Sequence, residues 1–216
     1  MKKVTVNGTV ASHERYLYRG YLQLAALDML DNRNVLRTLL WDPLEPVAAR
    51  PLALVQGASL YCYGWDFNKN VTEVFDGQGT IAAAYDYSPY GIVGSTGNLV
   101  QPVQWSSEMN DGKLALVYYN YRYYNPADGR WTNRDPIVEQ GGWNLYGFIK
   151  NHIQKNVDFL GMVSSSPLDP AFTPPPIPDR VGQSRGIKLS YFACKRKLDK
   201  LGDKAIKALL AGKVTH

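Results

Sequence analysis

A short turn unit that recurs before residue 163 constrains the fold more than any other feature of this sequence. It consists of an aromatic or apolar residue, then Asp or another small polar residue, and three residues later Gly, Asn or Lys. Copies start at residues 30, 41, 65, 75, 87 and 124, with gaps close to multiples of 12; Phe75–Ile81 and Tyr87–Ile92 are the clearest. Asp and Ser accept hydrogen bonds from their own turns, and Gly adopts positive φ readily, so the unit predicts β-hairpins.

Two segments that accompany these turns are rich in strand formers, namely Ala58–Trp65 and Leu114–Tyr124. Aromatic side chains suit a pleated, half-buried surface, and strands spaced by about 8–12 residues indicate an all-β array. We expect Tyr118–Tyr124 to form a strand or hairpin arm and not a helix. On the repeat alone, an ordinary β-sandwich or barrel with coincidental turns is the alternative.

The net charge of +5 is not spread evenly along the chain. Residues 1–162 hold 14 Lys+Arg against 15 Asp+Glu, whereas residues 163–216 hold 10 basic residues against 4 Asp. Fourteen of the 15 Tyr and all 5 Trp precede residue 163. Because hydrophobic residues make up 45% of the chain, wholesale disorder is excluded. A neutral, Tyr-rich body therefore precedes a basic tail, and only the tail suggests nucleic acid or an anionic membrane as a weak partner.

The run Tyr121–Ile137 resembles the signature of Rhs/YD-repeat proteins, and the similarity continues through Gly141–Phe148 to Asp158 and Gly161. This part is similar to the Rhs repeat-associated core domain, and residues 66–91 resemble YD repeats. The resemblance covers roughly residues 14–162. It implies a β-hairpin ribbon that spirals into a hollow shell, encloses a variable C-terminal toxin or effector, and is closed at one end by the core domain. Since intact shells need many more repeats, we interpret this chain as an isolated or truncated core cassette.

Asp135 and Asp158 are the candidate catalytic residues, but only through the resemblance. Their spacing of 23 residues demands no site, and Asp135 before a proline would suit a turn. In the family, the matching aspartates resemble an aspartic-protease pair that cuts the chain just after the second motif, here near Met162–Val163. Two close carboxylates share a proton, so one activates a water while the other protonates the leaving amine. Arg134 is the predicted bidentate partner of the charged carboxylate.

Three positions depart from the family pattern, namely Val138 in place of Gly, Ile153 in place of Pro, and Phe159 in place of the second Pro. Gly permits unusual backbone angles and Pro fixes φ, so these losses loosen the geometry that the motifs set. The alternative to self-cleavage is therefore an inert plug with the same fold. In either case, we expect no activity on a separate substrate.

Beyond the body, residues 163–186 are rich in Pro and Ser and predict a disordered linker. Residues 187–216 predict a basic amphipathic helix, because apolar residues recur at three and four positions; they are Cys194, Leu198, Leu201, Ala205, Ala208 and Leu209. The helix is interpreted either as a solvated surface element or as a remnant of the variable effector region. A Pro-rich linker transmits little packing, so removing residues 163–216 is expected to leave the melting of the body nearly unchanged.

Several other classes of site are excluded or disfavoured by the sequence. Cys62 and Cys194 lie far apart in sequence, which argues against a disulfide framework and a zinc site of paired cysteines, and Cys62 is expected to be buried packing. The three histidines lack metal-ligand spacing, and Gly141-Gly142 predicts a flexible turn rather than a phosphate loop. We therefore expect no metal and no cofactor. No signal peptide or membrane-spanning segment is visible, although the family is secreted or associated with the cell envelope.

The leading hypothesis is an all-β Rhs core cassette whose partners are upstream YD-repeat shell segments or its own C-terminal effector region. The rival is an extracellular YD-repeat binding module that recognises carbohydrate or a cell-surface protein. Tyr and Trp buried between hairpins would favour the cassette, whereas an outward aromatic patch would favour the binding module.

Overall fold

A computed structural model describes residues 1–42, 50–151, 157–158, 160–162, 164–165 and 193–200. These residues form mostly antiparallel β-structure, with a helix at residues 193–200, so the predicted all-β body with a C-terminal helix is confirmed. The chain divides into two compact units. One contains Met1–Gly64, Val74–Ile81 and Ile187–His216, and the other contains Trp65–Glu73 and Ala82–Gly186.

The longest sheet follows the order of the chain from its first strand to its ninth. Its strands are β1 (Lys2–Val6), β2 (Thr9–Arg19), β3 (Leu22–Asp28), β4 (Val35–Trp41), β5 (Pro51–Gln56), β6 (Ser59–Trp65), β7 (Val71–Phe75), β8 (Ile81–Tyr87) and β9 (Val93–Gly97). From β1 to β6 each strand pairs antiparallel with the next, and β8 pairs antiparallel with β9. The predicted strand at residues 58–65 is therefore present as β6.

Two smaller sheets lie in the second unit. The four-stranded sheet contains β10 (Met109–Asp111), β11 (Leu116–Tyr118), β12 (Tyr123–Asn125) and β13 (Arg130–Trp131). The two-stranded sheet pairs β14 (Val157–Asp158) with β15 (Ser164–Ser165). Consecutive pairing of β10 to β13 gives a short antiparallel meander, in which every connection is local.

Three of the predicted turns share one hydrogen-bonding pattern. The polar residue of each unit accepts a bond from the N–H three residues later and donates its own N–H to the carbonyl four residues later. Its side-chain oxygen accepts the N–H of that fourth residue at 2.9–3.0 Å. The residues are Asp66 with Lys69 and Asn70, Asp76 with Gly79 and Thr80, and Ser88 with Gly91 and Ile92. The third-position residues have φ of 65°, 86° and 87°, which explains the glycine in two of the turns.

The tyrosine-rich run forms a hairpin, as its residue types predict, but not one continuous strand. Tyr118 in β11 pairs with Tyr123 in β12, and Asn120 adopts a positive φ of 66° in the connection. Buried aromatic side chains of the second unit pack around this hairpin; they are Trp105, Tyr119, Tyr124, Trp131 and Phe148. Their packing favours the cassette interpretation, since it places Tyr and Trp inside the fold.

The tail differs from the sequence-based expectation at two places. Ser164 and Ser165, which the Pro- and Ser-rich composition predicts to be linker, pair with β14 as a short strand. The helix at residues 193–200 is not fully solvated, because Cys194 and Leu198 are buried in a cluster with Leu52 and Cys62. The side chain of Lys197 also pairs with Asp42. Of the predicted linker and helix, residues 163, 166–192 and 201–216 lie outside the described residues. Within the described part, no helix has the length and apolar character needed to cross a membrane.

Candidate functional site

Asp135 lies at the start of a turn that comes after β13. Its backbone N–H donates to the carbonyl of Leu145 at 3.0 Å, and its Oδ1 accepts the N–H of Ile137 at 3.0 Å. The side chain is buried. An aspartate before proline that accepts a bond from the N–H two residues later is an Asx turn, so the local sequence explains how this carboxylate is oriented.

Asp158 lies in β14, and its side chain accepts three backbone hydrogen bonds from the next few residues of the chain. The N–H groups of Leu160, Gly161 and Met162 donate to Oδ1 at 3.1, 2.6 and 3.2 Å. Burial raises the pKa of Asp158 above its ordinary value, although these hydrogen bonds and the nearby Arg122 guanidinium oppose the rise. The carboxyl group therefore holds a proton more readily than an exposed aspartate does.

Arg122 joins the two aspartates. Its Nη1 lies 2.9 Å from Oδ2 of Asp135, and its Nη2 lies 3.6 Å from Oδ2 of Asp158. The guanidinium is 3% exposed and lies over the ring of Trp131, 4.1 Å from the ring centroid. Both carboxylates thus lie against one buried guanidinium, whose planar fork suits such contacts.

The prediction that Arg134 holds the charged carboxylate is corrected by this geometry. Arg134 is exposed, and Arg122 forms the ion pairs with Asp135 and Asp158. The sequence analysis assigned this role to Arg134 because it is adjacent to Asp135, and it did not identify Arg122 in the aromatic run. A usable signal was present, because Arg122 is the one charged residue among the tyrosines of residues 118–124. A cation in an aromatic hairpin needs a buried partner.

The wall of the site is aromatic. Tyr119 makes edge-on contacts with Trp131 and Phe148, at ring-centroid distances of 5.1 and 6.1 Å, and Tyr124 stacks on Phe148 at 4.0 Å. These aromatic rings are uncharged and solvate an ion less well than water does. The ion pairs of Arg122 therefore lie in a medium of lower polarity than water, in which charge interactions are stronger.

Glu108 is a third carboxyl group whose charge acts on this region, and sequence reasoning did not identify it. Burial raises the pKa of Glu108 well above its ordinary value; Lys69 lowers it, and the charge of Asp158 raises it further. Glu108 precedes β10, and its carbonyl accepts the N–H of Gln104 at 3.1 Å. The acidic character of the site therefore extends beyond the two predicted aspartates.

Two backbone positions near the aspartates have positive φ. Gly161 has a φ of 74°, and a Cβ atom there would lie 3.1 Å from Cβ of Tyr119. Val138 has a φ of 55° at the position where the family pattern has Gly. A β-branched residue with positive φ is strained, so the structure gives a physical reason for the family's glycine.

Two of the three departures from the family pattern, Ile153 and Phe159, lie outside the described residues, as does Val163 on one side of the predicted cleavage bond.

Gly142 follows a short 3₁₀ segment, Val138–Gly141, and has a φ of 131°. Among the described residues, no group of three or more His, Cys, Asp or Glu side chains is arranged to hold a metal ion.

Comparison with known proteins places the chain beside Rhs and toxin proteins. It is 34% identical over 121 residues to double-stranded DNA deaminase toxin A of Burkholderia cenocepacia, which covers 53% of this chain and 8% of that protein. It is 36% identical over 58 residues to "Probable deoxyribonuclease RhsB" of Dickeya dadantii, which covers 27% of this chain and 4% of that protein. The chain thus spans a small part of these relatives. No protein-family model matches it.

The fold also has a counterpart among solved structures. The crystal structure of TcdB2-TccC3 matches 74% of this chain and 8% of that one, with a TM-score of 0.58 and 21% sequence identity. At this identity the match supports the fold alone. The resemblance to Rhs-repeat proteins and the β-structure expected from it are both confirmed.

Proposed function

We propose that this chain, which is similar to segments of Rhs and toxin proteins, is a core cassette that cuts itself after Met162 and so separates a C-terminal effector region from the β-body. The observation that carries the proposal is the cluster of Asp135 and Asp158 on the guanidinium of Arg122. A second contact supports the position of the cut: the N–H of Met162 donates to Oδ1 of Asp158, so the carboxyl group lies beside the residue that precedes the proposed bond.

The proposed reaction is hydrolysis of the peptide bond between Met162 and Val163. Asp135 accepts a proton from a water molecule, and the water oxygen bonds to the carbonyl carbon of Met162. Asp158 donates its proton to the nitrogen of Val163 as the carbon–nitrogen bond breaks. The products are a carboxyl group on Met162 and an amine on Val163; Asp135 has gained a proton from the water, and Asp158 has given its proton to the amine.

The assignment of the acid and the base rests on the different surroundings of the two carboxyl groups. Burial raises the pKa of Asp158, which favours its protonated form, and Oδ1 of this residue is already occupied by three N–H donors. The proton is therefore assigned to Oδ2. Asp135, whose Oδ2 lies closer to the guanidinium, 2.9 Å against 3.6 Å, is assigned the role of the base.

The cassette role is supported by the aromatic residues. Tyr119, Tyr124 and Trp131 are buried and form the interior of the second unit, where they are unavailable for sugar stacking. The proposed partners are YD-repeat segments and the effector region of the same protein, and the proposed place of action is outside the producing cell. TcdB2-TccC3 provides a fold comparison for this role.

A binding module is the second candidate, and one observation favours it. Trp143 is 93% exposed, and Tyr146 is also exposed. If these rings bind carbohydrate, then Trp143→Ala abolishes retention on a glycan array, whereas Phe67→Ala, a change at another exposed ring, leaves it unchanged. Absence of glycan retention by the unchanged protein would reject this candidate.

Self-cleavage is tested by incubating the purified full chain at mildly acidic and neutral pH. We expect fragments that end at Met162 and begin at Val163, identified by mass spectrometry. Asp135→Asn and Asp158→Asn should abolish them while the circular dichroism spectrum is retained. Asp128→Asn is the matched control, because Asp128 is exposed in the turn between β12 and β13 and should not alter cleavage. Full-length protein after prolonged incubation under both conditions would overturn the proposal.

A further inference from the structure

Cys62 and Cys194 belong to one buried cluster, although 131 residues separate them in the sequence. Cys62 is in β6, and Cys194 is in the helix at residues 193–200. They are 5% and 2% exposed, and both are free thiols. Leu52, Ala53, Phe75 and Leu198 complete the buried part of the cluster. The sequence spacing gave no reason to expect these two sulfur atoms in one place.

Contacts around Cys194 fix its position against the sheet. Its Sγ lies 3.0 Å from the carbonyl oxygen of Leu52, at the β5–β6 ladder where Ala53 pairs with Cys62. The Cys62 thiol is itself a hydrogen-bond partner of Cys194. The two sulfur atoms are therefore neighbours, with the neighbouring strand's backbone beside them.

The helix is held in this register at two further points. Leu198 lies one helical turn after Cys194 and is buried in the same cluster. The ammonium group of Lys197 pairs with the buried carboxylate of Asp42. Rotation or sliding of the helix would break both contacts, so the thiol pair does not depend on a single interaction.

We propose that Cys62 and Cys194 are a disulfide-forming pair that links the C-terminal helix covalently to β6 when the protein meets an oxidising, disulfide-containing environment. The oxidant is a low-molecular-weight disulfide such as oxidised glutathione. One thiolate attacks it and releases one glutathione thiol; the second protein thiolate then attacks the mixed disulfide and releases the other. Two cysteine thiols are oxidised and one external disulfide is reduced, and the two protons that leave the cysteines are taken up by the two released glutathione thiolates.

Burial governs the rate of this reaction. The hydrogen bond with Cys62 raises the pKa of the Cys194 thiol, and burial raises it further, so the reactive thiolate is scarce while the helix is docked. The first attack requires the helix to open locally, and the second occurs when it docks again and brings the sulfur atoms together. Reduced protein is thus stable in a reducing compartment and becomes cross-linked after it leaves it.

The test uses the full chain, equilibrated in buffers of varied reduced to oxidised glutathione ratio, quenched with acid and alkylated. Digestion without reductant, followed by mass spectrometry, should find a peptide that contains Cys62 joined to one that contains Cys194. Native protein should form this link at ratios at least about tenfold more reducing than protein unfolded in urea, since the fold brings the thiols together. Mixing isotopically labelled and unlabelled chains should yield links within a chain only.

Cys62→Ser and Cys194→Ser are the paired controls, and each should give a single glutathione adduct and no cross-link. If either variant fails to fold, the native and urea series of the unchanged chain still decides the question. Equal linking in native and unfolded protein, separate glutathione adducts on both cysteines of the native chain, or links only between different chains would overturn the proposal.

Discussion

The Nε of Arg122 donates a hydrogen bond to the carbonyl oxygen of Gly161, across 39 residues of chain. The arginine that pairs with both aspartates therefore also fixes the backbone just before the proposed cleavage bond. Gly161 in turn donates its N–H to Asp158, so the peptide segment and the carboxyl group are held by the same side chain. Both the position of the segment to be cut and the charge balance of the site therefore depend on Arg122.

Replacement of Arg122 by Met should lower the free energy of unfolding by about 3–5 kcal/mol, because it leaves two buried carboxylates without their cation. Arg134→Met is the matched control and should change stability by no more than about 0.5 kcal/mol, since Arg134 is exposed. Urea unfolding followed by tryptophan fluorescence measures both. Equal effects of the two substitutions would contradict the assignment of Arg122 as the central cation.

Val138→Gly should stabilise the fold by about 1 kcal/mol, because a φ of 55° strains a β-branched residue and suits glycine. Val138→Ala is the control, since alanine shortens the side chain but retains most of the strain. Thermal unfolding distinguishes them. The same substitution restores the family's glycine beside Asp135, so faster self-cleavage is expected along with the higher melting temperature; a lower melting temperature for Val138→Gly would reject the strain argument.

Stability should fall as the pH rises above about 4, through the raised pKa of Asp158. Between the unfolded value of 3.8 and the folded pKa, the folded chain keeps a proton that the unfolded chain has released, so the stability from Asp158 is complete below 3.8 and is lost above the folded pKa. In urea unfolding across this pH range, the free energy of unfolding of Asp158→Asn should fall less steeply with pH than that of the unchanged protein. Glu108→Gln should act in the same direction, because burial raises that pKa too. An unchanged decline in both variants would assign the pH dependence elsewhere.

Leu198→Ala should expose the helix to hydrogen exchange and lower the melting temperature, because Leu198 is buried against β-strand residues. The free energy of unfolding is expected to fall by about 2–5 kcal/mol if the helix stays docked, and by less if the helix undocks instead. Lys195→Ala, at an exposed position of the same helix, should have little effect. Removal of residues 163–216 should also destabilise the first unit, in contrast to the expectation from the linker composition alone. Unchanged melting after either change would mean that the docked helix contributes no stability.

The turns were predictable from sequence because their hydrogen bonds are local. Asp76 and Gly79 contain within four residues both the acceptor and the positive-φ position that the turn requires. The arginine that pairs with the aspartates was not predictable in this way. The contact of Arg122 with Gly161 joins residues 39 positions apart, so it depends on how the hairpin packs against a distant part of the chain. Arg134 was favoured because it is adjacent to Asp135 in the sequence. Arg122 forms the ion pairs because it is buried among the aromatic side chains, next to the aspartates.

The position of the helix was beyond sequence reasoning for the same reason. The periodicity predicts the face that contains Cys194 and Leu198, and this face is the one that is buried. The partner surface lies 142 residues earlier at Leu52, and no local pattern identifies it. A Pro-rich segment argued for independence, but such a segment constrains only the connection and not the affinity of the helix for the sheet.

The buried helix face has a consequence for what a single cut can achieve. While the chain is intact, the helix and β5–β6 are parts of one molecule, and their contact is independent of protein concentration. In the protein with both cysteines reduced, a cut between Met162 and Val163 makes them two molecules, whose complex dissociates on dilution with its own equilibrium constant and its own lifetime. Hydrolysis and departure of the fragment are therefore separate kinetic steps, and a gel under denaturing conditions reports the first while sedimentation of the native protein reports the second.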